Sequence, residues 1–176
     1  MPVQVTQQRN GSSFTHKIDI RGMAGGMLLV SLLACVFNVI GFATSGWSVR
    51  KLSSGSYHIG LWEQCVCGSN QDYGGSASKS WFKATQAMTT IGLIFLILAL
   101  LASVFYVFVH IFNKNVCLTA GIVSAALGCL FCLIGLIIFG VKEKNHNWSF
   151  AFVCISAILS LFGTILMVIL FRKARD

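Results

Sequence analysis

Four uncharged blocks alternate with polar segments along this chain. They cover residues 22–46, 86–112, 117–140 and 149–171, and none of them contains Asp, Glu, Lys or Arg. A helix crosses a bilayer with about 20 apolar residues, so each block is long enough to span one. A backbone exposed to lipid must satisfy its own hydrogen bonds, which favours helices. The pattern predicts an all-α membrane protein, an antiparallel bundle of four transmembrane helices.

Composition supports this class and argues against the soluble ones. Apolar residues make up 56% of the chain and charged residues 10%, whereas an ordinary globular domain is about 25% charged. So little charge does not cover a water-facing surface, which excludes a soluble enzyme, a disordered chain, a coiled coil and a disulfide-stapled toxin. The first block exceeds the roughly 7–15 apolar residues of a secretory signal peptide, so it is predicted to be an uncleaved span.

The segments between the blocks predict a single four-span domain over residues 1–176. An even number of crossings puts both termini on one side of the membrane. The remaining segments are tails at 1–21 and 172–176, outer loops at 47–85 and 141–148, and an inner turn at 113–116.

The orientation rests on the distribution of basic residues. With the termini inside, seven basic residues are cytoplasmic and six are outside, which is close to a tie. The terminal cluster of Arg172, Lys173 and Arg175 favours cytoplasmic termini, as does the pair of Lys17 and Arg21 beside the first span. The net charge of +8 is dispersed along helix ends, which argues against nucleic-acid binding.

Only the first outer loop is long enough to hold structure of its own. Residues 56–67 alternate, with Tyr57, Ile59, Leu61, Glu63, Cys65 and Cys67 on one face of a single predicted strand. Residues 47–52 precede this strand across a Ser-Ser-Gly turn, which predicts a β-hairpin or small sheet outside the membrane. Residues 68–80 are rich in Gly, Ser, Asn and Asp and are predicted to form a loop.

Trp47, the triplet Gly60-Leu61-Trp62 and the pair Cys65 and Cys67 resemble the W…GLW…C…C signature of the claudin superfamily. That superfamily includes the peripheral myelin and epithelial membrane proteins and the lens fibre membrane protein. The start of the second span, residues 81–88, is more similar to the epithelial membrane and lens branches than to claudins proper, and the branch stays open. The resemblance implies that the signature residues seat an extracellular sheet on the helix ends, with Trp62 buried.

The resemblance also implies a disulfide between Cys65 and Cys67, yet the spacing departs from the family pattern. In claudins the two cysteines lie on neighbouring strands, whereas here only Val66 separates them. Their Cα atoms on an extended strand lie about 6–7 Å apart, at the upper edge of disulfide geometry. An oxidising exterior favours bridging nonetheless. A bridge within the chain, a bridge between chains and two free thiols all stay open.

Three features inside the spans are candidates for packing or modification. Asn38 is expected to make an interhelical hydrogen bond, with a ligand path as the alternative. Gly121, Gly128 and Gly135 repeat every seven residues, which predicts close packing within the bundle, with a dimerisation seam as the alternative. Cys117, at the inner membrane boundary, is a candidate for palmitoylation.

The chain lacks the patterns of catalysis. Apart from His110, the spans carry no ionisable group that would serve a carboxylate pair, a nucleophile with its base or a proton relay. His58, Cys65 and Cys67 lack a fourth defined metal ligand. We therefore expect no enzymatic activity, no cofactor and no metal site.

The resemblance implies a function in cell–cell contact at the plasma membrane, through adhesion, a paracellular barrier or membrane organisation by the first outer loop. The alternative is an auxiliary subunit of an ion channel, because claudin-like channel subunits also carry GLW and paired cysteines. Expected partners are the lipid bilayer, further copies or related membrane proteins, and a facing cell. The C-terminus lacks the terminal hydrophobic residue that docks in PDZ domains, so no PDZ scaffold is expected.

Overall fold

Four long helices and one small sheet make up the computed structural model, which describes residues 9–52, 55–67, 79–108 and 114–175. The helices are α1 (Arg9–Ala43), α2 (Ser80–Phe108), α3 (Lys114–Lys142) and α4 (Trp148–Arg175), and the strands β1 (Ser48–Leu52), β2 (Gly55–Ile59) and β3 (Gln64–Cys67) lie between α1 and α2.

All four helices contain a segment that is long and apolar enough to cross a membrane. Their outward faces carry large aliphatic side chains, such as Leu29 at 57% exposed and Ile158 at 67%. Exposure of a belt of such side chains to water is unfavourable, whereas their exposure to lipid carries no such cost. The predicted membrane bundle is therefore confirmed, and its outer faces contact the bilayer.

All four helices begin before the uncharged blocks that predicted them, and α1 also ends before its block does. Helix α2 begins at Ser80 rather than at residue 86, so Trp81 and its neighbours belong to the helix and not to the preceding loop. Helix α1 ends at Ala43 and begins already at Arg9. Charge marks where a helix can meet lipid, but it does not mark where the backbone stops being helical, and this is why the boundaries differ.

Small residues let α2 approach α3 closely. A Cβ atom on Gly128 would lie 3.0 Å from the Leu96 side chain, and one on Gly135 would lie 2.7 Å from Cγ2 of Thr89. At Gly121 the same test places a Cβ atom 3.3 Å from the sulfur of Met167 in α4. The glycine repeat of α3 thus faces its own bundle, so these three positions are not open as a seam between molecules.

Polar side chains inside the bundle bond across helices. Asn38 is buried and donates from Nδ2 to the sulfur of Cys132, 3.3 Å away in α3. Ser156 of α4 donates to the carbonyl oxygen of Ala34 at 2.7 Å. Such bonds stabilise a bundle in lipid because no water is present there to form a hydrogen bond with an unpaired polar group. Asn38 therefore has a packing partner.

The sheet is antiparallel in the order β1-β2-β3. The predicted hairpin is present as β1 and β2, with Ser48 opposite Ile59 and Leu52 opposite Gly55. The single strand expected over residues 56–67 is wrong, because a turn from residue 60 to 63 divides it into β2 and β3. In that turn the Gly60 amide donates to the Glu63 carbonyl oxygen at 2.8 Å.

Candidate functional site

Trp47 lies at the centre of the end of the bundle that carries the sheet. Its side chain is fully buried, and its indole Nε1 donates a hydrogen bond to the Gly41 carbonyl oxygen at 2.7 Å. Gly41 belongs to the last turn of α1, where carbonyl groups have no partner within the helix. Thr44 donates to the Ile40 carbonyl oxygen at 2.6 Å in the same turn. Trp47 thus acts as a side-chain cap on α1.

The backbone of Trp47 joins two further parts of the chain. Its amide donates to the Ile59 carbonyl oxygen of β2 at 3.0 Å, and its carbonyl oxygen accepts from the Asn147 amide at 3.1 Å. One residue therefore connects the end of α1, the sheet and the loop between α3 and α4. Replacing it would disturb all three contacts at once.

Aromatic rings fill the space beneath the sheet. Phe139 of α3 is fully buried, and its ring centroid lies 5.0 Å from that of Trp47 and 5.9 Å from that of Phe150. Trp81 and Phe82, in the part of α2 that precedes the predicted span, also contact Phe139. We call these five residues the aromatic cluster. Helix α2 begins before the predicted span, and its first turn supplies two of these rings.

The signature triplet has three different environments. A Cβ atom on Gly60 would lie 2.8 Å from the Glu63 carbonyl oxygen and would also collide with the Ser45 backbone, so only glycine fits. Leu61 is 1% exposed, and its carbonyl oxygen accepts from Nε2 of Gln86 at 2.6 Å.

Trp62 is not buried, and the expectation from the resemblance is wrong on this point. It is 54% exposed, and its ring meets Phe42 of α1 edge-on at 5.3 Å between centroids. The turn that begins at Gly60 ends the strand alternation, so Leu61 takes the buried position and Trp62 points outward. An exposed indole at the end of a membrane bundle is typical of the interface between lipid and water.

An ion pair joins the sheet to the loop between α3 and α4, and the sequence did not reveal it. Arg50 of β1 donates through Nη2 to Oε1 of Glu143. Glu143 is only 5% exposed, and the hydrogen bond to it raises the pKa of Arg50. One feature of the sequence pointed to an ion pair, because Glu143 is the only acidic residue in the second predicted outer loop. Nothing in the sequence, however, identified its partner.

The same loop adds a short strand-like contact to the sheet. Ser48 of β1 pairs with His146 in an isolated antiparallel bridge. Nearby, Ser149 and Gly46 bond reciprocally, because the Ser149 amide donates to the Gly46 carbonyl oxygen and the Gly46 amide donates to Ser149 Oγ, each at 3.0 Å. The end of α1 and the start of α4 are thereby held together.

The predicted cysteine and modification sites remain predictions. Cys65 and Cys67 lie on β3, opposite His58 and Ser56, but their side chains fall outside the described residues. Cys117 is half-buried in the first turn of α3. His110 also lies outside the described residues. Among the side chains that are described, no three His, Cys, Asp or Glu residues come together as a metal site.

A small cavity lies inside the bundle. The cavity lined by Ser31, Leu96, Ser160 and neighbouring small residues has a volume of about 10 Å³, which is room for about one water molecule. The described contacts between elements are concentrated where the sheet, the aromatic cluster and the second loop meet.

Comparison with known families agrees with this geometry. The model of the PMP-22/EMP/MP20/Claudin family matches residues 22–171, from the first span to the end of the fourth. A comparison with curated proteins gave no match. The matched range includes Trp47, the GLW triplet and the four uncharged blocks that predicted the spans. The chain therefore belongs to the PMP-22/EMP/MP20/Claudin family and is a claudin-like tetraspan membrane protein.

Proposed function

We propose that this protein works at cell–cell contacts of the plasma membrane, where it organises the membrane, adheres or forms part of a paracellular barrier through its sheet. The observation that carries the proposal is the attachment of the sheet to the bundle through several contacts. Trp47 bonds to α1, to β2 and to the second loop, and the aromatic cluster supports it from below. A sheet that is attached to the end of a membrane bundle by these contacts suits an interaction with a neighbouring molecule.

This function requires an orientation with both termini in the cytoplasm and the sheet outside. The basic C-terminal cluster and the pair of Lys17 and Arg21 beside the first span support it. An epitope placed at either terminus of the full chain is expected to stain only in permeabilised cells. Staining of intact cells would overturn the orientation and, with it, the role of the sheet in cell contact.

The outward orientation also implies an oxidising environment for Cys65 and Cys67. We infer that the two thiols are bridged, since the other five cysteines lie within helices. A membrane-impermeant alkylating reagent is expected to label neither thiol in intact cells until they are reduced. Non-reducing gels separate the two forms of the bridge, because only a bridge between chains gives a dimer that reduction collapses. Labelling of both thiols without reduction would show that they are free.

The contact function is tested by expressing the tagged chain alone in cells that lack junctions, mixed with untransfected cells. Enrichment is expected where two expressing cells touch, and not where an expressing cell touches an untransfected one. The second comparison is the control, because it subtracts simple membrane overlap. A diffuse distribution at both kinds of contact would refute the proposal. Copurification with a channel in that case would favour an auxiliary channel subunit.

A further inference from the structure

A groove of about 780 Å³ runs between β1 and the loop that connects α3 to α4. It lies on the sheet-bearing end, beside the aromatic cluster but not within it. Its walls come from one strand and one loop, and they consist of Val49, Lys51, Lys144, Asn145, His146 and Asn147.

Strand alternation decides which residues of β1 enter this groove. Val49 and Lys51 are two positions apart, so they project from the same side of the strand. Ser48 and Arg50 project from the other side, where Ser48 is buried and Arg50 meets Glu143. The bridge between Ser48 and His146 holds the loop beside the strand. Backbone pairing thus places the two walls of the groove side by side.

The charge of the groove is positive, and no side chain that the structure describes forms a salt bridge with its lysines. Lys51 and Lys144 are exposed, and neither forms a salt bridge with the side chains that the structure describes. Glu143 precedes Lys144 directly, but its carboxylate is engaged by Arg50. The predicted outer loops, residues 47–85 and 141–148, together contain six basic and three acidic residues. A concave surface with one sign of charge attracts the opposite charge.

We propose that this groove binds a sulfated polysaccharide chain of the cell surface or extracellular matrix. Lysines provide compact charges for sulfate groups, and the side-chain amides of Asn145 and Asn147 supply hydrogen-bond donors beside them. Lysine is depleted at the centre of protein–protein interfaces, and apart from the His146 imidazole the groove walls carry no aromatic ring, so an acidic protein is the poorer fit. The volume of about 780 Å³ is far larger than one small anion fills, and this suits a longer ligand that carries several anionic groups.

The inference rests on the proposed outward orientation of the loops, but its test is cell-free. The purified full chain, in nanodiscs of zwitterionic lipid, is applied to immobilised heparin, and binding is measured as salt increases. The test variant is Lys51→Gln with Lys144→Gln. The matched control is Lys79→Gln with Lys83→Gln, which removes the same charge from exposed positions at the start of α2.

We expect the natural chain to bind at about 0.15 M salt and the groove variant to bind about fivefold more weakly, the loss typical of two exposed ion pairs. The control pair is expected to bind within twofold of the natural chain. Heparin in solution is expected to compete, whereas desulfated heparin and free sulfate at equal charge are not. Equal thermal stability of the three proteins establishes that the substitutions leave the fold intact.

Three results would overturn the inference. The first is equal weakening by the groove and control pairs, which would show that binding depends only on net charge. The second is unchanged binding by the groove variant. The third is equal competition by an acidic peptide, which would assign the groove to a protein partner. Because no cell is involved, failure here leaves the contact experiment unaffected, and failure of that experiment leaves this result standing.

Discussion

Replacement of Trp47 by Phe removes one hydrogen bond and keeps an aromatic ring under the sheet. The indole Nε1 donates to the Gly41 carbonyl oxygen at 2.7 Å in a buried site. Phenylalanine has no donor, so that carbonyl group would lose its partner where water does not reach it. An unsatisfied buried group costs about 1–3 kcal/mol. Trp47→Ala would also remove the ring and its packing, and buried aromatic truncations cost about 3–5 kcal/mol.

Thermal unfolding of the purified chain in detergent measures this difference. For a chain of this size a loss of about 2 kcal/mol lowers Tm by about 4–8 °C, which is our expectation for Trp47→Phe. Trp47→Ala is expected to lower Tm further. Trp62→Phe is the matched control, because Trp62 is 54% exposed and surface substitutions change stability by about 0.5 kcal/mol or less.

A Trp47→Phe protein that melts with the natural chain, while Trp47→Ala melts lower, would show that the bond to Gly41 contributes nothing and that ring packing alone anchors the sheet. A control that loses as much as Trp47→Phe would refute the assignment of Trp47 as the anchor. It would mean that any tryptophan at this end of the bundle matters equally.

Two further substitutions test the contacts around the sheet and inside the bundle. Arg50→Gln leaves the buried carboxylate of Glu143 without its partner and is expected to cost about 1–3 kcal/mol, whereas Glu143→Gln keeps a hydrogen-bonding group and is expected to cost less; equal losses in denaturation would contradict this reading. Gly135→Ala places a methyl group 2.7 Å from Thr89 and is expected to cost about 1–3 kcal/mol, while Gly140→Ala, with its nearest neighbour at 3.6 Å, is expected to be neutral; a neutral Gly135→Ala would show that α2 moves aside.

The spans and the hairpin were predictable because each depends on local pattern. A block without charge has one stable arrangement in lipid, and strand alternation beside a short turn has one common pairing. The break in the second predicted strand was not predictable from alternation. Residues 56–67 alternate between two faces, and the sequence does not show that Gly60 lies against the Ser45 backbone, where a Cβ atom would collide.

The environments of the signature residues were likewise predictable only in part from the sequence. Trp47 and Leu61, which were expected to seat the sheet on the helix ends, are buried, whereas Trp62 was expected to be buried and is exposed. A tryptophan suits both a protein core and a membrane interface, so residue type does not decide between them. The decision comes from the turn that Gly60 begins.

The amino-acid sequence by itself determined that this chain crosses a membrane four times, that a small sheet follows the first helix, and that the chain resembles one family. These properties follow from charge, periodicity and a short motif, which are local. Tertiary structure alone decided that Trp47 caps α1, that Arg50 pairs with Glu143 and that a basic groove opens beside β1. Each of these joins residues from different elements, and their meeting depends on how four helices pack in three dimensions.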